Sequence, residues 1–163
     1  MKDCVVADSG PLIALARLGA LALPARLWGR VLVPATVLAE CTFTDQKNGA
    51  ERINQALISG WLEECADLPV EEEVASFRLD AGETQAILLA RRHEALLLID
   101  EIRGRRVAAR LALAHVGTCG LLVSAKRAGL ISAVRPLLDD LLAAGYFLAP
   151  ALVVDTIKLA GES

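Results

Sequence analysis

Aromatic side chains are scarce in this chain: three Phe, two Trp and one Tyr in 163 residues. Little surface is therefore available for stacking on bases, and Trp28 and Trp61 read as core or interface anchors. Histidine is scarcer, at two, and neither His93 nor His115 stands at a spacing to a nucleophile or a second ligand that supports acid–base or metal chemistry. The four cysteines, Cys4, Cys41, Cys65 and Cys119, include no close pair. That excludes a zinc ribbon or a thiol-exchange motif and leaves reduced thiols in a cytoplasm as the expectation. The apolar run Leu111 to Ala125 holds His115 and two glycines and is too short to cross a bilayer. Asp3 and Asp8 break the N-terminal apolar stretch before a secretion signal can form. Gly-x-Gly-x-x-Gly and Walker patterns are missing, as are repeats, low-complexity stretches and linkers. What remains is 55% hydrophobic and 23% charged, the composition of one folded domain over residues 1–163. A formal net charge of −3 excludes coating nucleic acid by bulk charge and shifts attention to local patches.

Short apolar runs alternate with helical patterns. Cys4 to Asp8 reads as strand, turn and helix, with Ser9 as cap and Pro11 in the first turn. Val31 to Pro34 is a second strand and Ala35 to Cys41 a helix, followed by a polar loop from Thr42 to Gly49. Ala50 to Ser59 is amphipathic, and Trp61 to Cys65 forms a short third strand. Asp80 to His93 is a helix with Asp80 as cap. Ala95 to Asp100, Ala-Leu-Leu-Leu-Ile-Asp, suits a strand covered on both faces of a parallel sheet. Helices over Arg103 to Leu113, Gly120 to Ala128 and Ser132 to Ala144, a strand at His115 to Thr118, a last strand at Tyr146 to Ala149 and a helix from Pro150 to Leu159 complete the pattern. This alternation predicts a three-layer α/β/α domain with a mostly parallel central sheet. Its ligands should bind beyond the carboxyl ends of the strands, where the strand order reverses.

Asp8 and Asp100 each end an apolar strand at that edge. On neighbouring strands their carboxylates would stand roughly 5 Å apart, able to share a divalent cation and mutually repulsive without one. A simple helix-capping role is the alternative for each. Glu40, on a mostly apolar helix, reads equally as a surface residue, and Glu83 as the partner of Asp80 in a capping box. Residues 102–138 carry Arg103, Arg105, Arg106, Arg110, Lys126, Arg127 and Arg135 and no acid. Arg103, Arg106 and Arg110 share one helical face, able to hold a phosphate backbone or simply to solvate the surface.

The chain resembles the PIN-domain family of metal-dependent nucleases, which includes the VapC-type toxins of toxin–antitoxin pairs. The resemblance rests on Val5-Val-Ala-Asp8-Ser9, Val33-Pro-Ala-Thr-Val-Leu-Ala-Glu40, Gly82-Glu83-Thr-Gln-Ala-Ile-Leu-Leu-Ala90 and Leu96-Leu-Leu-Ile-Asp100. Lys126-Arg-Ala-Gly-Leu-Ile131 and Arg135-Pro-Leu-Leu138 further resemble its predicted nucleic-acid-binding subgroup. It implies a PIN-like fold in which Asp8, Glu40, Glu83 and Asp100 are the catalytic, metal-holding acids. One or two Mg²⁺ or Mn²⁺ ions would bind there, with Ser9 in support. The family often has a hydroxyl two residues before the last acid and an acid two after it, where this chain has Leu98 and Ile102. Glu101 is the substitute available.

Two functions are compatible with these residues. The first is a metal-dependent endoribonuclease acting on single-stranded RNA, held by Arg103, Arg106 and Arg110, and acting as a toxin with a cognate antitoxin. The second is a catalytically weak PIN-like protein that binds RNA or a protein partner without cutting. A homodimer is the family expectation, with apolar surface left over at Leu12 to Leu23 and Leu137 to Leu152. A phospho-acceptor receiver domain is disfavoured, since no adjacent acid pair follows the first strand.

Overall fold

Val5, Val6 and Ala7 are all fully buried, which only a strand flanked by neighbours and covered on both faces can achieve. They belong to β1 (Cys4–Ala7), the middle strand of a five-stranded sheet in the order β3-β2-β1-β4-β5. The other strands are β2 (Arg30–Pro34), β3 (Glu63–Cys65), β4 (Leu96–Leu98) and β5 (His115–Val116), and every pairing is parallel. This computed structural model describes residues 3–44 and 47–163.

Helices cover both faces, giving the expected α/β/α layers. Val5, Ala7, Val31, Val33 and Leu98 point to one side, into a core built with α1 (Ser9–Leu18), α2 (Leu23–Trp28), α3 (Ala35–Thr44) and α4 (Lys47–Ser59). The same core takes in α8 (Thr118–Arg127), α9 (Arg135–Ala143) and α10 (Pro150–Leu159). Val6, Leu32, Leu97 and Ile99 point to the other side and pack on α5 (Glu72–Ala75), α6 (Ala81–His93) and α7 (Ile102–Arg110). The alternation of Val5, Val6 and Ala7 between the two cores is the two-residue period of a strand. No described helix is long and apolar enough to cross a membrane.

Several sequence expectations shift. Asp8, not Ser9, is the N-cap residue of α1. The strand at Ala95 to Asp100 narrows to β4, and Thr118 opens α8 instead of ending a strand. The polar loop at Thr42 to Gly49 is helical wherever it is described, because the Thr42 hydroxyl donates to Leu38 O at 3.1 Å and α3 runs on; Asp45 and Gln46 lie outside the described residues. The strand expected at Tyr146 to Ala149 is absent. Gly145 N and Tyr146 N close the end of α9 on Leu142 O and Leu141 O (3.1 and 3.0 Å), and Pro150 starts α10, so the intervening residues span two helix ends. The surplus apolar surface expected at Leu12 to Leu23 is spent in the core, where Leu12, Leu15, Leu21 and Leu23 are buried.

The C-terminus is latched back onto the fold. Glu162 accepts hydrogen bonds from Val134 N (2.7 Å), Arg135 N (3.1 Å) and Lys126 Nζ (3.0 Å). Led by the Val134 amide, these donors hold its carboxyl down at about 2.

Candidate metal centre

The sheet reverses direction of winding at β1, whose neighbours β2 and β4 leave it to opposite sides, and the crevice beyond the carboxyl ends opens there. Asp8 is the first residue past β1, and its N–H donates to Leu98 O on β4 at 3.0 Å. This bond fixes the backbone at the rim, while the side chain, only 4% exposed, turns inward. Asp8 Oδ1 is buried and meets no hydrogen-bond donor. Burial above all, with the charges of Asp80, Glu40 and Asp100 adding to it, pushes the Asp8 carboxyl up to about 7 against a bond from the Ser9 backbone.

Glu40 arrives from β2 through α3 and meets the first turn of α6, where Gly82 N donates to its Oε1 at 3.0 Å. A Cβ at Gly82 would overlap the Glu40 carboxylate, so this approach requires glycine. The Ser9 hydroxyl also bonds Glu40. Burial and the Asp80 charge raise the Glu40 carboxyl, and these two donors pull it back. Glu83 lies one residue beyond Gly82. Its N–H donates to Asp80 Oδ1 at 2.8 Å, the capping bond expected from the sequence. Burial, a hydrogen bond to Asp80, and the charges of Asp80, Asp8 and Glu101 push its carboxyl up to about 8.

Asp100 stands two residues past β4, on the β5 side of Asp8. Thr118 N donates to its Oδ1 at 2.7 Å and the Thr118 hydroxyl to its Oδ2 at 2.6 Å. Gly117 makes room for this: a Cβ there would lie 2.8 Å from both Asp100 Oδ1 and Arg105 Nη1.

The four acids named from the sequence thus fall at one edge of the sheet, in two groups. Asp8, Glu40 and Glu83 surround Asp80, whose charge acts on all three, while Asp100 is oriented separately by Thr118. Ser9 supports Glu40 as expected. Glu101 is exposed and acts on Glu83 through charge. The arginines divide differently from the sequence pattern. Arg103 reaches Phe77 O (3.4 Å) and Arg78 O (3.3 Å), Arg110 lies 5.4 Å above the Phe77 ring, and Arg106 is exposed. Arg105, off the face they share, is the one beside Asp100, with its Nη1 on Ile99 O at 3.2 Å. Beyond the cap that its spacing predicts, Asp80 acts by charge on the neighbouring acids, and Thr118 and Gly117 join the site only through the fold. A glycine inside the first helical turn was the readable signal for Gly82.

A family model described as a PIN domain matches residues 4–162. The chain belongs to the PIN-domain family. No curated protein matches it. PIN domains are generally nucleases and typically use divalent metals. The residues of this PIN domain fit such an ion by the chemistry of their donors: hard carboxylate oxygens, one of them buried without a donor, on carboxyls raised by burial first and by neighbouring acids second. Among the described residues no group of three or more His, Cys, Asp or Glu side chains is placed to hold a metal ion. An open site of one or two carboxylates completed by water is the ordinary way Mg²⁺ is held. The family resemblance would assign such an ion to Asp8 and Asp100, with Glu40 and Glu83 reaching it directly or through water.

Proposed function

We propose that this PIN domain is a metal-dependent endoribonuclease that hydrolyses phosphodiester bonds of single-stranded RNA, and that it serves as the toxin of a toxin–antitoxin pair. One observation carries the reading: Asp8 Oδ1, buried and without a donor, at the carboxyl end of the central strand among carboxylates held above their usual range. Unpaired buried acids are costly and are kept where an ion or a reaction uses them.

Mg²⁺ or Mn²⁺ supplies there the positive charge that draws in a phosphate and makes water a better nucleophile near neutral pH. The protein supplies the rest. Thr118 holds Asp100 by two bonds, and Gly82 and Ser9 hold Glu40, so the acids meet the ion with their orientation already set. Glu83, hydrogen-bonded to Asp80, is the group able to exchange a proton near neutrality. As the new P–O bond forms from water, the bridging P–O bond breaks, the water proton passes to this carboxylate pair, and the pair returns a proton to the departing ribose oxygen. Arg105 beside Asp100, with the exposed Arg106, offers the cations that an acidic pocket needs at its rim. A second copy of the chain and an antitoxin segment are the proposed protein partners. The exposed Leu142, Val154 and Leu159 are apolar surface available to them.

The second reading is a PIN-like protein that binds RNA without cutting it, favoured by the open arrangement of the acids. Cleavage of a mixed single-stranded RNA pool by wild type and Asp8→Asn, with Mg²⁺, Mn²⁺ or EDTA, separates the two. Metal-dependent cleavage lost in a folded Asp8→Asn supports the nuclease. Binding without cleavage by metal-loaded wild type overturns it in favour of the second reading.

A further inference from the structure

A cavity of about 580 Å³ lies on the β5 side of the acidic centre, with Asp100 and Thr118 in its own lining. Most of the remaining wall is apolar, contributed by Ile102 and by the segment from Tyr146 to Leu152. Phe147 is 87% exposed and Ile102 64% exposed, so neither is there to fill the core. The backbone that presents Phe147 is fixed at both ends, by the closing bonds of α9 and by the start of α10 at Pro150. Arg105 is the cation of the lining; one guanidinium nitrogen is on Ile99 O, which leaves further donors of its planar fork for another acceptor.

We propose that this cavity takes one base of the substrate strand, stacked on Phe147, with Arg105 on the adjoining phosphate. This rests on the nuclease reading of the neighbouring acids. A strand whose reacting phosphate sits at Asp8 and Asp100 must carry its next nucleotide past Asp100. There the wall changes from carboxylates to a lining that includes an exposed aromatic ring and a cation, the two kinds of group by which single strands are held. A mostly apolar cleft with a few polar groups is also the usual form of a site for a planar ligand. In a chain with so few aromatics, one ring is left almost wholly in solvent in the lining that Asp100 shares.

The test is the anisotropy of short labelled single-stranded RNA with Mg²⁺ in an Asp8→Asn background, where the strand is not cut. Phe147→Ala, a change at an exposed ring that leaves the fold intact by circular dichroism, should weaken binding about tenfold or more, and Phe147→Tyr should restore it. Abasic substitution at one position of the RNA should cost the Phe147 protein that same factor and bring it level with Phe147→Ala. Equal binding by Phe147 and Phe147→Ala overturns the inference while leaving the nuclease reading standing. So does a loss that no abasic position closes, which would assign the ring to a polypeptide partner instead. RNA bound neither by these variants nor by wild type with Mg²⁺ sinks both.

Discussion

Gly82 and Glu40 occupy adjoining space so closely that the amide of one donates to the carboxylate of the other at 3.0 Å, and a single added methyl group would overlap it. In a helix, Gly→Ala ordinarily stabilises by about 1 kcal/mol. Gly82→Ala should therefore leave the helix content and Tm near wild type while displacing Glu40. We expect a 10–100-fold loss of Mn²⁺ affinity and of RNA cleavage, read by calorimetric titration and a cleavage assay. Unchanged metal affinity would show that Glu40 takes no part in the centre.

Asp8 and Glu83 hold their protons to about 7 and about 8 when folded, well above the 3.8 and 4.5 of free carboxyls. The folded state then binds more protons than the unfolded one across that window, so the metal-free protein loses stability as pH rises from about 4 to about 8. Mg²⁺ or Mn²⁺ should restore it, most strongly at the upper end. Thermal melts in EDTA and in metal, from about pH 5 to 8, test this; a metal-free Tm that rises over that range contradicts it.

Asp8→Asn removes the buried charge. In EDTA near pH 8 its Tm should exceed that of wild type by several °C, because burying an amide costs less than burying an ionised carboxylate. The same variant should show no stabilisation by metal. A lower Tm than wild type in EDTA would mean that Asp8 is paired in solution.

Thr118→Val keeps the backbone N–H on Asp100 Oδ1 and deletes the hydroxyl on Oδ2. We expect cleavage to fall by 10–100-fold through loss of orientation, with Thr118→Ser close to wild type. If Val and Ser behave alike, the hydroxyl is packing and nothing more.

Glu162→Gln weakens the latch on Val134, Arg135 and Lys126 without touching the acidic centre. The Glu162 carboxyl is held down at about 2, below its ordinary 4.5. Its contribution is complete above about 4.5 and fades as pH falls toward 2. The variant should melt about 2–4 °C lower at neutral pH, with the gap closing in acid and RNA cleavage unaltered. A gap that stays constant with pH would assign the difference to packing.

Strands and caps that depend on neighbours in the chain were legible from the sequence. The run Leu96 to Ile99 sits in the sheet because nothing in it tolerates water, and Asp80 caps α6 at the spacing that predicted it. Likeness to a family points to the four acids, and in Glu83 the local pattern shows only a helix cap. What escaped depends on residues brought together from afar. The hydroxyl on Asp100 comes from Thr118, just past the carboxyl end of β5, and not from position 98. Arg105 lies off the face defined by Arg103, Arg106 and Arg110, and only the position of Gly117 shows that it is the arginine beside Asp100. Tyr146 to Ala149 is apolar enough for a strand, yet it is stretched between two helix ends and never meets a sheet edge.

The place of β1 in the middle of the sheet also sets when the centre comes into being during synthesis. One neighbour, β2, follows within a few dozen residues, whereas β4 and Asp100 are made 92 positions after Asp8. At about 5–20 residues per second that interval is roughly 5–20 s. Throughout it the ribosome-bound chain has Asp8 without the Leu98 carbonyl that anchors its backbone, and without Asp100 or Thr118. A half-made or truncated chain therefore carries the acids of one side only, and a cell making this protein meets the assembled centre only once β4, β5 and α8 have emerged.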